Sequence, residues 1–86
     1  MSAGRRIEYS REATKTLLRM DGKMMKTIVA KVEQLASNPA SLANNIKALK
    51  GSDLYRLRVG DYRVIYTADL VVLTVIKVGH RREIYD

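Results

Sequence analysis

Two alternating runs meet at Gly60-Asp61: LYRLRV over 54–59 and YRVIYT over 62–67. A two-residue link between alternating runs predicts a β-hairpin, and glycine in the first central position fits a type II′ turn. That turn sets the register. Val59 faces Tyr62, Arg58 faces Arg63, Leu57 faces Val64 and Arg56 faces Ile65. Directly opposed residues share a face. One face therefore carries Tyr55, Leu57, Val59, Tyr62, Val64 and Tyr66, and the other carries Arg56, Arg58 and Arg63. The aromatic and aliphatic face needs a cover; the arginine face looks outward.

The cover is legible upstream. Arg5 to Tyr9 reads as a short strand. Ser10 reads as an N-cap, with Glu12 in the first turn and Ala13, Leu17 and Met20 at helical spacing. Asp21-Gly22 breaks this helix, and Asp21 caps the next. The second helix has an apolar stripe of Met24, Met25, Ile28, Val29, Val32, Leu35 and Ala36, and ends at Ser37-Asn38-Pro39. A linker from Ala40 to Gly51, with a helical turn around Leu42 to Leu49, leads to the hairpin. Ala68-Asp69 reads as the next turn, which would set Arg63 against Thr74. The strand from Leu70 to Val78 is almost wholly apolar and is expected to be central and covered on both faces. The order β-α-α-β-β-β predicts an α+β fold, with a helical hairpin on one face of a mostly antiparallel twisted sheet. At 86 residues, 1–86 is expected to form a single domain.

Composition narrows the partners. Sixteen Lys and Arg against nine Asp and Glu give a net charge of +7, which favours nucleic acid, an anionic membrane or an acidic protein. With no cysteine, there is no disulfide framework or thiolate metal site. A single histidine and scattered carboxylates give no metal-ligand pattern, so neither metal nor cofactor is expected. No apolar run approaches the ~20 residues of a spanning helix, and the first residues lack the apolar core of a signal peptide.

The arginine face invites two explanations. Like charges directly opposite in a sheet are destabilising, so folding alone does not favour Arg58 beside Arg63. One explanation is a solvated face screened by salt and relieved by Asp53, Asp61 or Glu83. The other is an anion site, because arginine suits bidentate phosphate recognition. Lys47 and Lys50 in the linker are further candidate phosphate contacts. A second basic group, VGHRREIY over 78–85, follows the last strand, so His80, Arg81, Arg82 and Tyr85 emerge at one end of the sheet. Each also has a plain structural reading: an exposed histidine, an Arg82–Glu83 surface pair, a Tyr85 packed at the sheet edge.

LKG at 49–51, YRLRVGDYRVIY at 55–66 and VGHRREIY at 78–85 resemble the RelE/ParE superfamily of toxins from bacterial toxin–antitoxin pairs. The resemblance covers nearly the whole chain. It implies a compact α+β toxin of the cytoplasm, silenced in a hetero-oligomer with a cognate, RelB-like antitoxin. RelE-like members cut messenger RNA in the ribosomal decoding site, and their active-site positions fall here on Arg56, Arg58, Arg63, Arg81 and Tyr85. Arg56 and Arg58 stand where some members have lysines, and the hairpin loop is shorter than in some.

The implied reaction is attack of a ribose 2′-hydroxyl on the adjacent phosphate. Arg58, Arg63 and Arg81 would stabilise the charge of the transition state. Arg56, Lys47, Lys50, His80 and Arg82 would bind phosphate. Arginine is a poor general base. The resemblance favours Arg81 and Tyr85 for proton transfer, with Tyr85 as a base or as a platform stacked on a nucleobase, whereas bare chemistry favours His80, since histidine has an ordinary pKa of about 6.5. Two other functions fit the same residues: a ParE-like inhibitor of DNA gyrase, and a module that binds nucleic acid without cutting it.

Overall fold

A computed structural model describes residues 4–84. The elements run β1 (Arg6–Tyr9), α1 (Arg11–Arg19), α2 (Gly22–Ser37), a 3-10 segment (Pro39–Asn45), β2 (Ile46–Ala48), β3 (Tyr55–Val59), β4 (Tyr62–Ala68) and β5 (Val72–His80). The five strands form one sheet in the order β1-β5-β4-β3-β2. β1 runs parallel to β5, and the other pairings are antiparallel.

The helices form where their caps lie. The Ser10 side chain accepts the Ala13 N–H at 3.0 Å, and the Asp21 carboxylate accepts the Met24 N–H at 3.3 Å. Each satisfies an amide that the first helical turn leaves without a partner. Ala13 and Leu17 of α1 and Ile28, Val32, Leu35 and Ala36 of α2 are buried against Leu57, Val59, Val64, Tyr66, Leu73, Val75 and Val78 of the sheet. Fully burying one such aliphatic side chain contributes about 1.5–3 kcal/mol. This apolar layer is the face assigned to the helices by alternation.

The β3–β4 register matches the sequence expectation pair for pair, from Tyr55 opposite Tyr66 to Val59 opposite Tyr62. Gly60 has φ +58°, and no residue other than glycine has positive φ among those described. One positive φ at the first central position is what a type II′ turn requires.

Three expectations are corrected. The linker holds a strand: after the 3-10 segment opened by Pro39, Ile46–Ala48 pairs with β3. Three residues are too few to display an alternating pattern. The β4–β5 turn is wider than Ala68-Asp69, because the Asp69 carboxylate accepts the N–H groups of both Val71 (2.8 Å) and Val72 (2.7 Å). Those two donors hold its carboxyl below the ordinary carboxylate range. Ala68 therefore pairs with Leu73, and Arg63 pairs with Gly79 instead of Thr74.

Nor is β5 buried by helices on both faces. The register shifts between Ile65 and Tyr66, which pair with Lys77 and Val75, leaving Ile76 as the extra residue of a β-bulge. Val75 and Val78 then both face the helices while Thr74 and Lys77 start from the opposite face, the Lys77 ammonium reaching round the sheet edge to within 3.9 Å of Glu12 Oε2 in α1. The apolar run is an alternation displaced by one residue.

The bulge is tied to the first helix. Ser10 Oγ donates to the Ile76 carbonyl at 2.6 Å while it caps α1. Ser10→Ala removes both bonds, and we expect it to lower stability by about 1–2 kcal/mol, measured by urea denaturation. A loss no larger than that of a surface serine would contradict this coupling.

Candidate nucleic-acid interface

The sheet face away from the helices is basic. Pairing places Lys47 (β2) beside Arg56 (β3), Arg56 beside Ile65 (β4) and Ile65 beside Lys77 (β5). The next row is Arg58, Arg63 and Gly79. Strand alternation alone puts these side chains on one surface. Burial, followed by the nearby charges of Arg63 and Arg58, lowers the pKa of the Arg56 guanidinium. The three arginines thus act on one another electrostatically. Arg63 Nη1 donates to the carbonyls of Gly60 (3.0 Å) and Tyr62 (3.1 Å), which draws its guanidinium toward the hairpin turn.

The chain after β5 folds back to this same end of the sheet. The Arg81 N–H donates to the Asp61 carbonyl at 2.7 Å, and Arg81 Nε lies 3.8 Å from Asp61 Oδ1. Both side chains are mostly exposed, so the pair adds little stability, but it sets Arg81 beside the hairpin turn. Arg82 is exposed next to it. Ile84 is buried, and a Cβ built on Gly79 would stand 2.9 Å from its Cδ1. Gly79 shares its face with Arg63, so Ile84 packs over the Gly79 end of that row, in space that a side chain at 79 would fill.

The sequence candidates separate on this frame. Arg56, Arg58, Arg63 and Lys47 share the outer face, with Arg81 at the hairpin end. Lys50 sits in the β2–β3 connection, at the opposite end of β3. His80 pairs with Tyr62, and the two rings meet edge to face at 5.5 Å. Tyr62 packs against the core, so the imidazole is on the helix side, away from the arginines. Tyr85 lies outside the described residues.

Lys77 was not anticipated at the edge of this face, where its ammonium lies 3.9 Å from Glu12 Oε2 of α1. The signal was present, as the one charged residue in β5, but its direction depends on the bulge. Burial pushes the Tyr66 phenol up to about 12 and also raises that of Tyr9. Among the described residues, no three His, Asp or Glu side chains form a group that could hold a metal ion. Among the same residues, no helix is long and apolar enough to cross a membrane.

This arrangement can bind a polyanion across the strands and concentrate positive charge on one phosphate near the hairpin turn. The fold has close counterparts. The toxin–antitoxin complex RelBE2 from Mycobacterium tuberculosis contains a chain that superposes with a TM-score of 0.79 at 19% identity, covering 92% of this chain and 93% of that one. The archaeal RelE–RelB complex from Pyrococcus horikoshii OT3 gives 0.77 at 26% identity, over 91% and 96%. The RelB–RelE complex from Methanococcus jannaschii gives 0.73 at 28% identity, over 92% and 95%. No curated protein sequence matches significantly. The family model for the ParE toxin of type II toxin-antitoxin systems, parDE, matches residues 7–85. Nearly the whole chain is thus accounted for by one family, and the protein belongs to the ParE toxins of type II toxin–antitoxin systems, with a RelE-like fold.

Proposed function

We propose that this toxin is an endoribonuclease that cleaves messenger RNA in the ribosomal A site and thereby stops translation. The observation that carries the reading is the row of Arg58 and Arg63 with Arg81 anchored to the same hairpin turn through Asp61. In the proposed reaction the 2′-oxygen forms a bond to phosphorus, and the bond from phosphorus to the 5′-oxygen breaks. The 2′-hydroxyl loses its proton and the leaving 5′-oxygen gains one. The products are a 2′,3′-cyclic phosphate, which can open to a 3′-phosphate, and a 5′-hydroxyl.

Arg58, Arg63 and Arg81 offset the negative charge that builds on the non-bridging oxygens. Arg56 and Lys47 hold the flanking phosphates, which makes binding steeply salt-dependent. The resemblance assigns Tyr85 to the proton, a role in which a neighbouring cation would favour its phenolate. The site of action is the cytoplasm, where the ribosomes are. The partner that silences the toxin is a RelB-like antitoxin, as RelB accompanies RelE in the similar complexes.

Expression of the toxin alone, with sequencing of cellular RNA ends, tests the reading. Growth arrest with new 5′-hydroxyl ends at in-frame positions of translated messages is expected. Cleavage of purified RNA without ribosomes would keep the nuclease and remove the A-site assignment. One observation favours a second reading: the matched family model carries the ParE name. A ParE-like gyrase inhibitor would instead induce a DNA-damage response with RNA ends unchanged.

A further inference from the structure

We propose that His80 is a positioning residue for this cleavage, holding the turn that presents Arg81, and that it does not carry the proton; the inference rests on the ribonuclease reading above. A proton carrier must reach the reacting oxygens, and to act as a base it needs a free lone pair there. His80 meets neither condition. Its ring stands against Tyr62 on the helix side of the sheet, whereas Arg58 and Arg63 project from the other side. Its Nδ1 accepts the Arg82 N–H at 3.2 Å. That bond commits the Nδ1 lone pair and places the proton of the neutral ring on Nε2.

The same residue closes the turn from three further directions. The His80 N–H donates to Glu83 Oε1 at 3.0 Å, and the His80 carbonyl accepts the N–H groups of Glu83 at 2.7 Å and Ile84 at 3.2 Å. Arg81 is the one residue of this turn whose amide reaches the hairpin, at the Asp61 carbonyl. Holding residues 80, 82, 83 and 84 to one another fixes the direction in which Arg81 leaves the strand. A displacement of about 1 Å at such a residue can cost roughly 10²-fold in rate.

Asparagine separates positioning from proton transfer. Its Oδ1 occupies the place of Nδ1 and accepts the Arg82 N–H, but an amide does not titrate. We expect His80→Ala to lower kcat about 10²-fold with KM little changed, and His80→Asn to restore most of the loss, with thermal unfolding showing both variants folded. A folded His80→Asn as inactive as His80→Ala would make His80 the proton carrier and overturn the proposal. A His80→Ala variant as active as wild type would overturn it as well.

A second measurement is independent of activity. As the single histidine of the chain, His80 can be read directly by ¹⁵N NMR. We expect Nδ1 unprotonated, Nε2 protonated, and an Arg82 amide protected from exchange in wild type and His80→Asn but not in His80→Ala. A proton on Nδ1 of the neutral ring would contradict the turn. If wild type cuts no RNA, with or without ribosomes, the ribonuclease reading fails and the positioning role fails with it. The tautomer and the Arg82 amide then still report whether His80 closes the turn.

Discussion

Arg58→Ala should lower RNA cleavage by about 10²–10³-fold, the usual cost of removing one preorganised donor from a developing oxyanion, while leaving the fold as stable as before or more so. The two effects have opposite signs for one reason. Arg58 stands directly opposite Arg63 and raises the positive potential at Arg56. Such like-charge pairs destabilise a sheet, and alanine relieves that cost. Its side chain is exposed, so little packing is lost. Single-turnover cleavage and urea denaturation of the same preparation measure both signs. A variant that is destabilised and still active would mean that the arginines serve the fold and that the chemistry lies elsewhere.

Gly79→Val should be nearly as damaging to cleavage, although Gly79 carries no reactive group. A valine Cβ would fall 2.9 Å from Ile84 Cδ1 and 3.0 Å from Ile84 Cγ1. Real Cβ atoms do not approach that closely, so the Ile84 side chain must shift, and the two γ-methyls of valine push it further and strain residues 81–83. Overpacking of this kind costs about 1–3 kcal/mol, and displacing the turn is expected to cost about 10²-fold in kcat. Pairing Gly79→Val with Ile84→Ala should recover a substantial part of both losses, because the smaller side chain makes room. If the double variant is no better than the single one, the defect comes from the strand itself and not from the seat of Ile84.

Sequence pattern reached far into this site. The chemistry of the hairpin residues settles Arg58 opposite Arg63, since a glycine-led two-residue turn permits one register and alternation does the rest. The capping residues Ser10 and Asp21 and the stop at Pro39 are equally local, and their bonds are where the sequence placed them. The resemblance carried by VGHRREIY had already brought Arg81 to the arginines. What pattern could not reach were features decided by pairing at a distance. β2 exists because Lys47 and its neighbours find β3, not because three residues prefer to be extended. Lys77 joins the edge of the basic face, and Gly79 replaces Thr74 as the neighbour of Arg63, only because Asp69 widens one turn and Ile76 bulges from β5.

The contrast is sharpest at His80. By itself the sequence determined that a histidine follows Gly79 at the end of an apolar strand, next to two arginines, and its type made it the natural acid–base candidate. Which side of the sheet it occupies was left to tertiary structure. Side chains alternate at every residue, so one bulge reverses the face of everything beyond it. The Ile76 bulge, with its carbonyl bonded to Ser10, turns His80 toward Tyr62 and the helices and turns Gly79 toward Ile84 and the arginines. Local chemistry determined the charge of this protein, its helices and its hairpin. A single extra residue, accommodated by a helix cap some sixty-six positions away in the chain, decided which side chains share the arginine face.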